Sequence, residues 1–311
     1  MRTRVLSVCA GLGLSVGAIA QSYDVAMLEI EGAPLARAAG MALFGDAGLA
    51  FPDYLDALHG AADDRSLEAV IVRLKDASLQ TTQIEELSQA IAAVRDAGKR
   101  VTVFAEGYDT AGLLLGAHAD EVLIQQGGGV MLPGLYMEEM YLADTLKWAG
   151  LDADFVQVGD YKGANEMYMN AQPSEAWDQN ISGLLDSMYA EVRSTLKEGR
   201  GLTDAELDEA MRRCWMADGA TAVEVGLIDG QVDLTELLDH VEQTARAGGW
   251  SGGELVYQGD LIADSEAEMD FSNPFLMLSQ LFEPPQRFTS GPTIAVLHID
   301  GAIMDGDSSP G

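Results

Sequence analysis

The sequence predicts an α/β protein built around a mostly parallel sheet. Short apolar runs typical of buried strands alternate with segments whose apolar residues recur at helical spacing. Several of the runs are continuous rather than alternating, which indicates strands that are buried on both faces. Strands that alternate with helices in this way are typical of parallel sheets with right-handed crossovers.

The first four strands and their helices follow from this pattern. The predicted strands are Val25–Gly32, Glu68–Leu74, Arg100–Ala105 and Glu121–Ile124. The predicted helices between them are Pro52–Ala61, Ile84–Ala97 and Ala111–Ala119. In the second of these helices Ile84, Leu87, Ile91 and Val94 share one face, and Gly98 follows as a cap.

The second half of the chain is predicted to be richer in helices, at Met137–Ala149, Glu175–Glu198, Asp204–Arg213 and Leu234–Ala245. We expect Met137 and Met140 to fill the core. The run Phe155–Val158 has the aromatic and β-branched residues of a short buried strand, and Gly159 ends it. Lys162 would then lie in the loop at the carboxyl end of a strand, where open α/β sheets collect ligands and catalytic groups.

The charge balance excludes some classes of partner. The 311 residues include 18 basic and 50 acidic side chains, which gives a formal net charge of −32. A surface this acidic repels nucleic acid and anionic lipid headgroups.

The sequence contains no motif for a cofactor or a metal. Gly127–Gly129 is not followed by the Lys-Ser/Thr helix of a phosphate-binding loop, and no metal-ligand spacing is found. We therefore expect no cofactor and no metal.

Residues 1–20 have the pattern of an export signal. Arg2 and Arg4 precede an apolar stretch, and Ala18-Ile19-Ala20 forms a cleavage site before Gln21. The alternative is an uncleaved anchor, although the stretch is about 16 residues long and a span needs ~20. We expect an exported protein, periplasmic or membrane-associated. Cleavage would leave Cys214 as the remaining cysteine, predicted to be a small core residue.

One segment carries a family resemblance. Gly159-Asp160-Tyr161-Lys162-Gly163-Ala164-Asn165-Glu166 resembles the G-x-Y-K-S-A-x-E segment of the S49 serine peptidases, in their long two-repeat signal peptide peptidase form. The similarity extends from about Asp24 to Gly306 and includes the G-L-[IV]-D turn ending at Asp229. It implies a ClpP/crotonase-like fold of repeated ββα units, with Lys162 as the general base of a Ser-Lys dyad. Gly163 replaces the usual serine and Met167 the usual proline, which predicts a looser loop.

The chain also contains the start of an internal repeat. Val25–Ala33 returns as Ile294–Ala302, and Ile303-Met304-Asp305-Gly306 follows as in the second repeat of the long S49 peptidases. The predicted domains are a signal peptide at 1–20, a first repeat at 21–245, a linker with an apolar segment at 246–293 and the first strand of a truncated second repeat at 294–311. The apolar segment, Phe271–Phe282, is too short to span a bilayer. It could dock on a membrane surface, on a partner subunit or on its own domain.

No serine stands where the family resemblance requires one. In the S49 peptidases the nucleophile lies in N-S-P-G-G, after the second strand of the second repeat. In the first repeat Asp76 takes that position without the glycines, Ser78 comes two positions late, and Ser309 follows the wrong strand. The four histidines, at 59, 118, 240 and 298, share no motif with an acid. We expect the serine to lie beyond Gly311, and the 311-residue chain alone to hydrolyse nothing.

The sequence therefore favours an exported serine endopeptidase that degrades hydrophobic peptides such as cleaved signal peptides and forms a homo-oligomer. An ordinary lysine, with a pKa near 10.4, is almost wholly protonated at neutral pH, so a lysine base must be desolvated. We expect the second repeat to provide the surface that excludes water from Lys162.

The alternative function is that of a non-catalytic S49-like scaffold subunit. A crotonase-type acyl-CoA enzyme is a third class, but its glycine-rich oxyanion turns are absent at Asp76.

Overall fold

The computed structural model describes residues 22–36 and 49–262. All of them fall within Met1–Ala263, one of the two units into which the chain divides. The predicted signal peptide, the apolar segment Phe271–Phe282 and the repeated strand Ile294–Ala302 lie outside the described residues.

Strands and helices alternate along the described chain. The strands are β1 Tyr23–Glu31, β2 Leu67–Lys75, β3 Arg100–Ala105, β4 Glu121–Gln125, β5 Gly129–Val130, β6 Ala217–Asp218, β7 Gly230–Val232 and β8 Leu255–Asp260. The helices are α1 Phe51–Asp63, α2 Thr81–Asp96, α3 Thr110–Gly116, α4 Ala143–Trp148, α5 Glu166–Met169, α6 Glu175–Arg200, α7 Asp204–Arg213, α8 Gly219–Glu224 and α9 Leu237–Ala247, the last preceded by a 3-10 turn at Leu234–Glu236.

The main sheet has six strands in the order β7-β4-β3-β2-β1-β8, and every neighbouring pair is parallel. The short strands β5 and β6 pair separately and antiparallel. The predicted α/β class with a mostly parallel sheet is therefore confirmed. The first four predicted strands correspond to β1–β4, with ends that differ by one or two residues.

Each face of the sheet has its own core, because successive residues of a strand point to opposite faces. On one face Leu28, Val72 and Val103 pack with α1 and α2 in the larger cluster. On the other, Ile71 and Phe104 pack with residues of α9. Towards the carboxyl ends of β1 and β2 this second face changes from apolar to charged. The candidate active site around Lys162 lies among the loops and helices that follow β4.

The predicted linker contains part of the sheet. Residues 255–260 form β8, which pairs with β1 from Tyr23↔Leu255 to Met27↔Asp260. The pattern Leu-Val-Tyr-Gln-Gly-Asp is apolar only at its start, so it does not predict an edge strand. The domain boundaries themselves stay predictions.

The predicted helix Met137–Ala149 is wrong over its first half. Only Ala143–Trp148 is helical, and Met137 and Met140 are exposed rather than buried in the core. Contacts with distant residues hold this segment instead of helical hydrogen bonds. The Leu142 amide donates to the Met167 carbonyl oxygen at 2.6 Å.

Across residues 22–36 and 49–262, no helix is both long enough and apolar enough to cross a membrane.

Candidate active site

Lys162 lies in an exposed loop between α4 and α5. The prediction of a buried strand before it is wrong, because residues 151–158 have no regular secondary structure. Val156 and Val158 are 97% and 88% exposed. A β-prone sequence becomes a strand only where neighbouring strands accept it, and the edges of the six-stranded sheet are β7 and β8. Lys162 is therefore not at the carboxyl end of a strand.

The lysines of the described chain differ in their partners. Lys75 pairs with Glu31 at 3.0 Å and Lys197 with Asp204 at 2.8 Å. Lys99 is buried, and its ammonium donates to the Leu67 carbonyl oxygen at 2.9 Å. Within the described ranges, no carboxylate lies within 4.0 Å of the Lys162 ammonium, although two acids, Asp160 and Glu166, are close in sequence.

Glu166 is buried and bound to Ser174. Its carboxylate accepts hydrogen bonds from the Ser174 amide at 2.7 Å and the Ser174 hydroxyl at 2.6 Å. Burial by itself would raise the pKa of Glu166, but the hydrogen bonds from Ser174 and Asn170 outweigh it and lower the pKa. The carboxylate is thus charged and already bound at neutral pH.

Trp177 covers the loop directly after Lys162. Gly163 is buried beneath the indole ring, and a Cβ atom at this position would lie 2.3 Å from the ring. The indole Nε1–H donates to the Glu139 carboxylate at 2.8 Å. The glycine therefore allows a large side chain to pack on the backbone, and the looser loop after Lys162 stays a prediction.

A cavity of about 200 Å³ opens beside this contact. Met140, Met167 and Trp177 supply apolar walls, and Glu138 and Glu139 add acidic groups. Tyr141 also lines it. Burial and the hydrogen bond it donates to Glu139 raise the pKa of Tyr141 to about 12. The cavity suits an apolar side chain, and a cation could approach its acidic side.

The turn after β2 holds no oxyanion site at Ser78. The Ser78 amide donates to the Gly32 carbonyl oxygen at 2.7 Å, so this N–H group is already used. Asp76, the residue at the expected serine position, has a φ of 49° and is the one non-glycine with positive φ among the described residues. Ser309 lies outside the described residues.

Charged side chains also meet near the carboxyl ends of β1, β2 and β3. The Arg73 guanidinium pairs with Glu29 at 2.7 Å and with Glu106. Desolvation would lower the pKa of Arg73, but these two carboxylates raise it. The sequence signal for this cluster is the presence of charged residues, Glu29 and Arg73, inside two apolar strand patterns. That signal does not show which charged residues pair with each other.

One histidine does meet an acid in the structure. His240 Nε2 of α9 lies 2.9 Å from Glu121 Oε1, at the start of β4. Arg100 and Thr102 of β3 reach the other oxygen of the same carboxylate, both at 3.3 Å. This cluster lies at the amino ends of β3 and β4. The carboxylate is shared with structural partners, and sequence reasoning missed the pair because its members are 119 residues apart.

The sequence matches one known protein family over the region that contains this site. The model of Peptidase family S49 matches residues 93–248, half of the chain. The chain therefore belongs to Peptidase family S49.

Curated relatives are more distant over a longer stretch. Protease 4 of Salmonella typhi is 25% identical over 266 residues, covering 83% of this chain and 40% of the relative. Protease 4 of Haemophilus influenzae is 24% identical over 268 residues, covering 82% and 40%. The chloroplastic serine protease SPPA of Arabidopsis thaliana is 21% identical over 156 residues, covering 50% and 23%. The chain thus spans about 40% of the length of the two bacterial relatives.

Among solved structures, a ClpP1 mutant from Listeria monocytogenes aligns with a TM-score of 0.39 and 11% identity, covering 67% of this chain and 91% of that one. An enoyl-CoA hydratase/isomerase family protein from Silicibacter pomeroyi aligns with a TM-score of 0.35 and 15% identity, covering 63% and 71%.

Proposed function

We propose that this chain is the amino-terminal part of an exported serine endopeptidase in which Lys162 is the general base of a Ser-Lys dyad. The observation that carries the proposal is the segment Gly159–Glu166, which lies inside the matched family region. Lys162 is exposed there, without a carboxylate partner among the described residues, while the backbone behind it is fixed by Trp177 and Glu166.

The chemistry requires three groups. A neutral lysine amine takes the proton of a serine hydroxyl as the serine oxygen attacks the scissile carbonyl. Backbone amides bind the oxyanion, and the lysine ammonium then gives its proton to the departing amine. This chain supplies the amine. We propose that the serine and its amides come from the sequence that follows Gly311.

The same proposal assigns a cover for Lys162. An exposed amine stays hydrated, so the catalytic state needs a surface that excludes water from it. We propose that the second repeat or another copy in a homo-oligomer provides that surface. The exposed apolar residues Val156, Val158 and Trp148, close in sequence to Lys162, support an interface here.

The proposed substrates are hydrophobic peptides such as cleaved signal peptides. The cavity beside Gly163 supports this, because two methionines and a tryptophan supply its apolar walls next to two glutamates and a tyrosine. The net charge of −32 disfavours nucleic acid as a partner. It also makes contact with a membrane surface depend on apolar rather than basic groups.

The second candidate is a non-catalytic S49-like scaffold. It is favoured by the turn after β2, where Asp76 stands at the position expected for the serine. The nearby Ser78 amide is already bonded to Gly32 and cannot bind an oxyanion. An N-S-P-G-G segment in the continuing reading frame would exclude this alternative.

Labelling with a fluorophosphonate tests the proposal. In a protein that includes the second repeat, we expect one labelled serine, located beyond Gly311. The 311-residue chain alone should remain unlabelled, because it has a base but no placed nucleophile. Label on Ser78 or Ser309 of the short chain would contradict the proposed division of the dyad.

A further inference from the structure

The exposed loop around Lys162 has little to hold it in place by itself. The Lys162 amide reaches the Gly159 carbonyl oxygen at a long 3.4 Å, and Gly159 has a φ of 95°. The Tyr161 hydroxyl makes one marginal contact, at 3.4 Å, with Gln179. Besides the stacking of Phe155 on Tyr168, with ring centroids 5.8 Å apart, the contacts that hold this stretch are made by the residues that follow the lysine.

Those residues are tied to the amino terminus of α6. The Ser174 hydroxyl donates to Glu166 at 2.6 Å and accepts from the Trp177 amide at 3.2 Å. One hydroxyl thus joins a buried carboxylate to the first turn of a 26-residue helix. A carboxylate at a helix amino terminus is further stabilised by the helix dipole.

A second contact closes the arrangement from the other side. Trp177 stands one turn into the same helix and covers Gly163, while Glu139 fixes the indole ring through its Nε1–H. Residues 163–166 are therefore held at both ends, by the packing of Trp177 on Gly163 and by the hydrogen bonds of Glu166 to Ser174. Lys162 is the residue next to this fixed stretch.

We propose that Glu166 and Ser174 are positioning residues for Lys162, which act by anchoring its loop to the start of α6. This inference rests on the proposed function of Lys162 and deepens it. The arrangement also has an electrostatic consequence. The Glu166 carboxylate binds Ser174 and forms no ion pair with Lys162 among the described residues, and an ion pair would favour the ammonium form of the lysine.

Hydrogen exchange on the 311-residue chain tests the anchor without any catalysis. In Glu166→Gln and Ser174→Ala, amides within residues 159–166 should exchange about tenfold faster, because a charge-assisted hydrogen bond is lost. Ser174→Thr keeps the hydroxyl and should restore slow exchange. If Glu166→Gln does not fold, Ser174→Ala retains the carboxylate and gives the same test.

The chain contains a matched control. Glu206 accepts from the Thr203 amide at 2.8 Å and hydroxyl at 2.7 Å at the start of α7, which is the same pair of hydrogen bonds to an N-cap residue in an exposed local capping box. Glu206→Gln should leave exchange in residues 159–166 unchanged. Unaltered exchange there in both Glu166→Gln and Ser174→Ala, or an equal rise in Glu206→Gln, would overturn the inference.

Turnover in a protein that includes the second repeat supplies the second readout. Glu166→Gln should lower kcat about tenfold with KM unchanged. Ser174→Ala should also lower kcat, and Ser174→Thr should restore it. Unchanged kcat in Glu166→Gln with faster loop exchange would overturn the positioning role. Full activity in Lys162→Ala would instead refute the proposed function, with the exchange result still standing.

Discussion

The carboxylate of Glu166 links the stability of the Lys162 loop to pH. Its pKa is lowered in the folded chain by Ser174 and Asn170 against the opposing effect of burial. A carboxylate with a lowered folded pKa stabilises the fold above its unfolded pKa of about 4.3, and this contribution is lost as the pH falls through the folded value.

Glu166→Gln should therefore lower the free energy of unfolding by about 1–2 kcal/mol at pH 7, because a charge-assisted hydrogen bond is removed. The difference from the wild-type chain should shrink as the pH falls below about 4. Denaturant melts at pH 7 and pH 3 measure it. A difference of the same size at both pH values would mean that the charge of Glu166 does not contribute.

Single residues of the site differed in how far the sequence could identify them. Lys162 could be proposed from the sequence because its motif is contiguous, and a short motif can be read without knowing the fold. The partnership of Trp177 with Glu139 was missed because the two are 38 residues apart and neither belongs to a pattern. The partner of Glu166 could not be predicted, since sequence alone does not show which way a carboxylate points.

At the scale of elements, the loop after Lys162 and helix α6 fit each other through one glycine. Gly163 leaves the space that the Trp177 ring occupies.

Gly163→Ser should destabilise the chain by about 1–3 kcal/mol, because the new side chain overlaps the indole ring. In a Trp177→Ala background the same substitution should cost far less. Gly183→Ser is the control within α6, since a side chain there meets nothing within 4 Å. Thermal melts of the wild type and the four variants decide between two causes. Steric overlap makes the cost depend on Trp177, whereas an intrinsic need for glycine makes the cost independent of Trp177.

Elements with strong local patterns were predicted well. Strands β1–β4 and helices α1, α2 and α6 follow from continuous apolar runs or helical spacing, which depend on burial against the sheet. The segments at 137–142 and 155–158 have similar apolar content but lie exposed. Their apolar composition indicates that these segments pack against another apolar surface. The sequence does not show whether that surface is the sheet of the same chain or a different one.

At the scale of the whole molecule, that exposed apolar surface predicts association. Val156→Asp and Val158→Asp should weaken self-association of the chain in analytical ultracentrifugation. Their effect on the free energy of unfolding should stay within about 0.5 kcal/mol, because both side chains are exposed. Met216→Asp, an exposed apolar residue beside β6, is the control and should not change association. Unchanged association in both valine variants would place the interface elsewhere.

The proposal that Lys162 is the general base can be tested by substituting this residue in a protein that includes the second repeat. We predict that Lys162→Ala lowers kcat/KM for a hydrophobic peptide by several orders of magnitude, because members of a dyad act as a unit. Lys162→Arg should fail equally, since a guanidinium stays protonated and cannot accept the proton of the serine. Both variants should fold and assemble as the wild type does. Near-normal turnover in Lys162→Arg would contradict the account, because Lys162 would then be a structural charge.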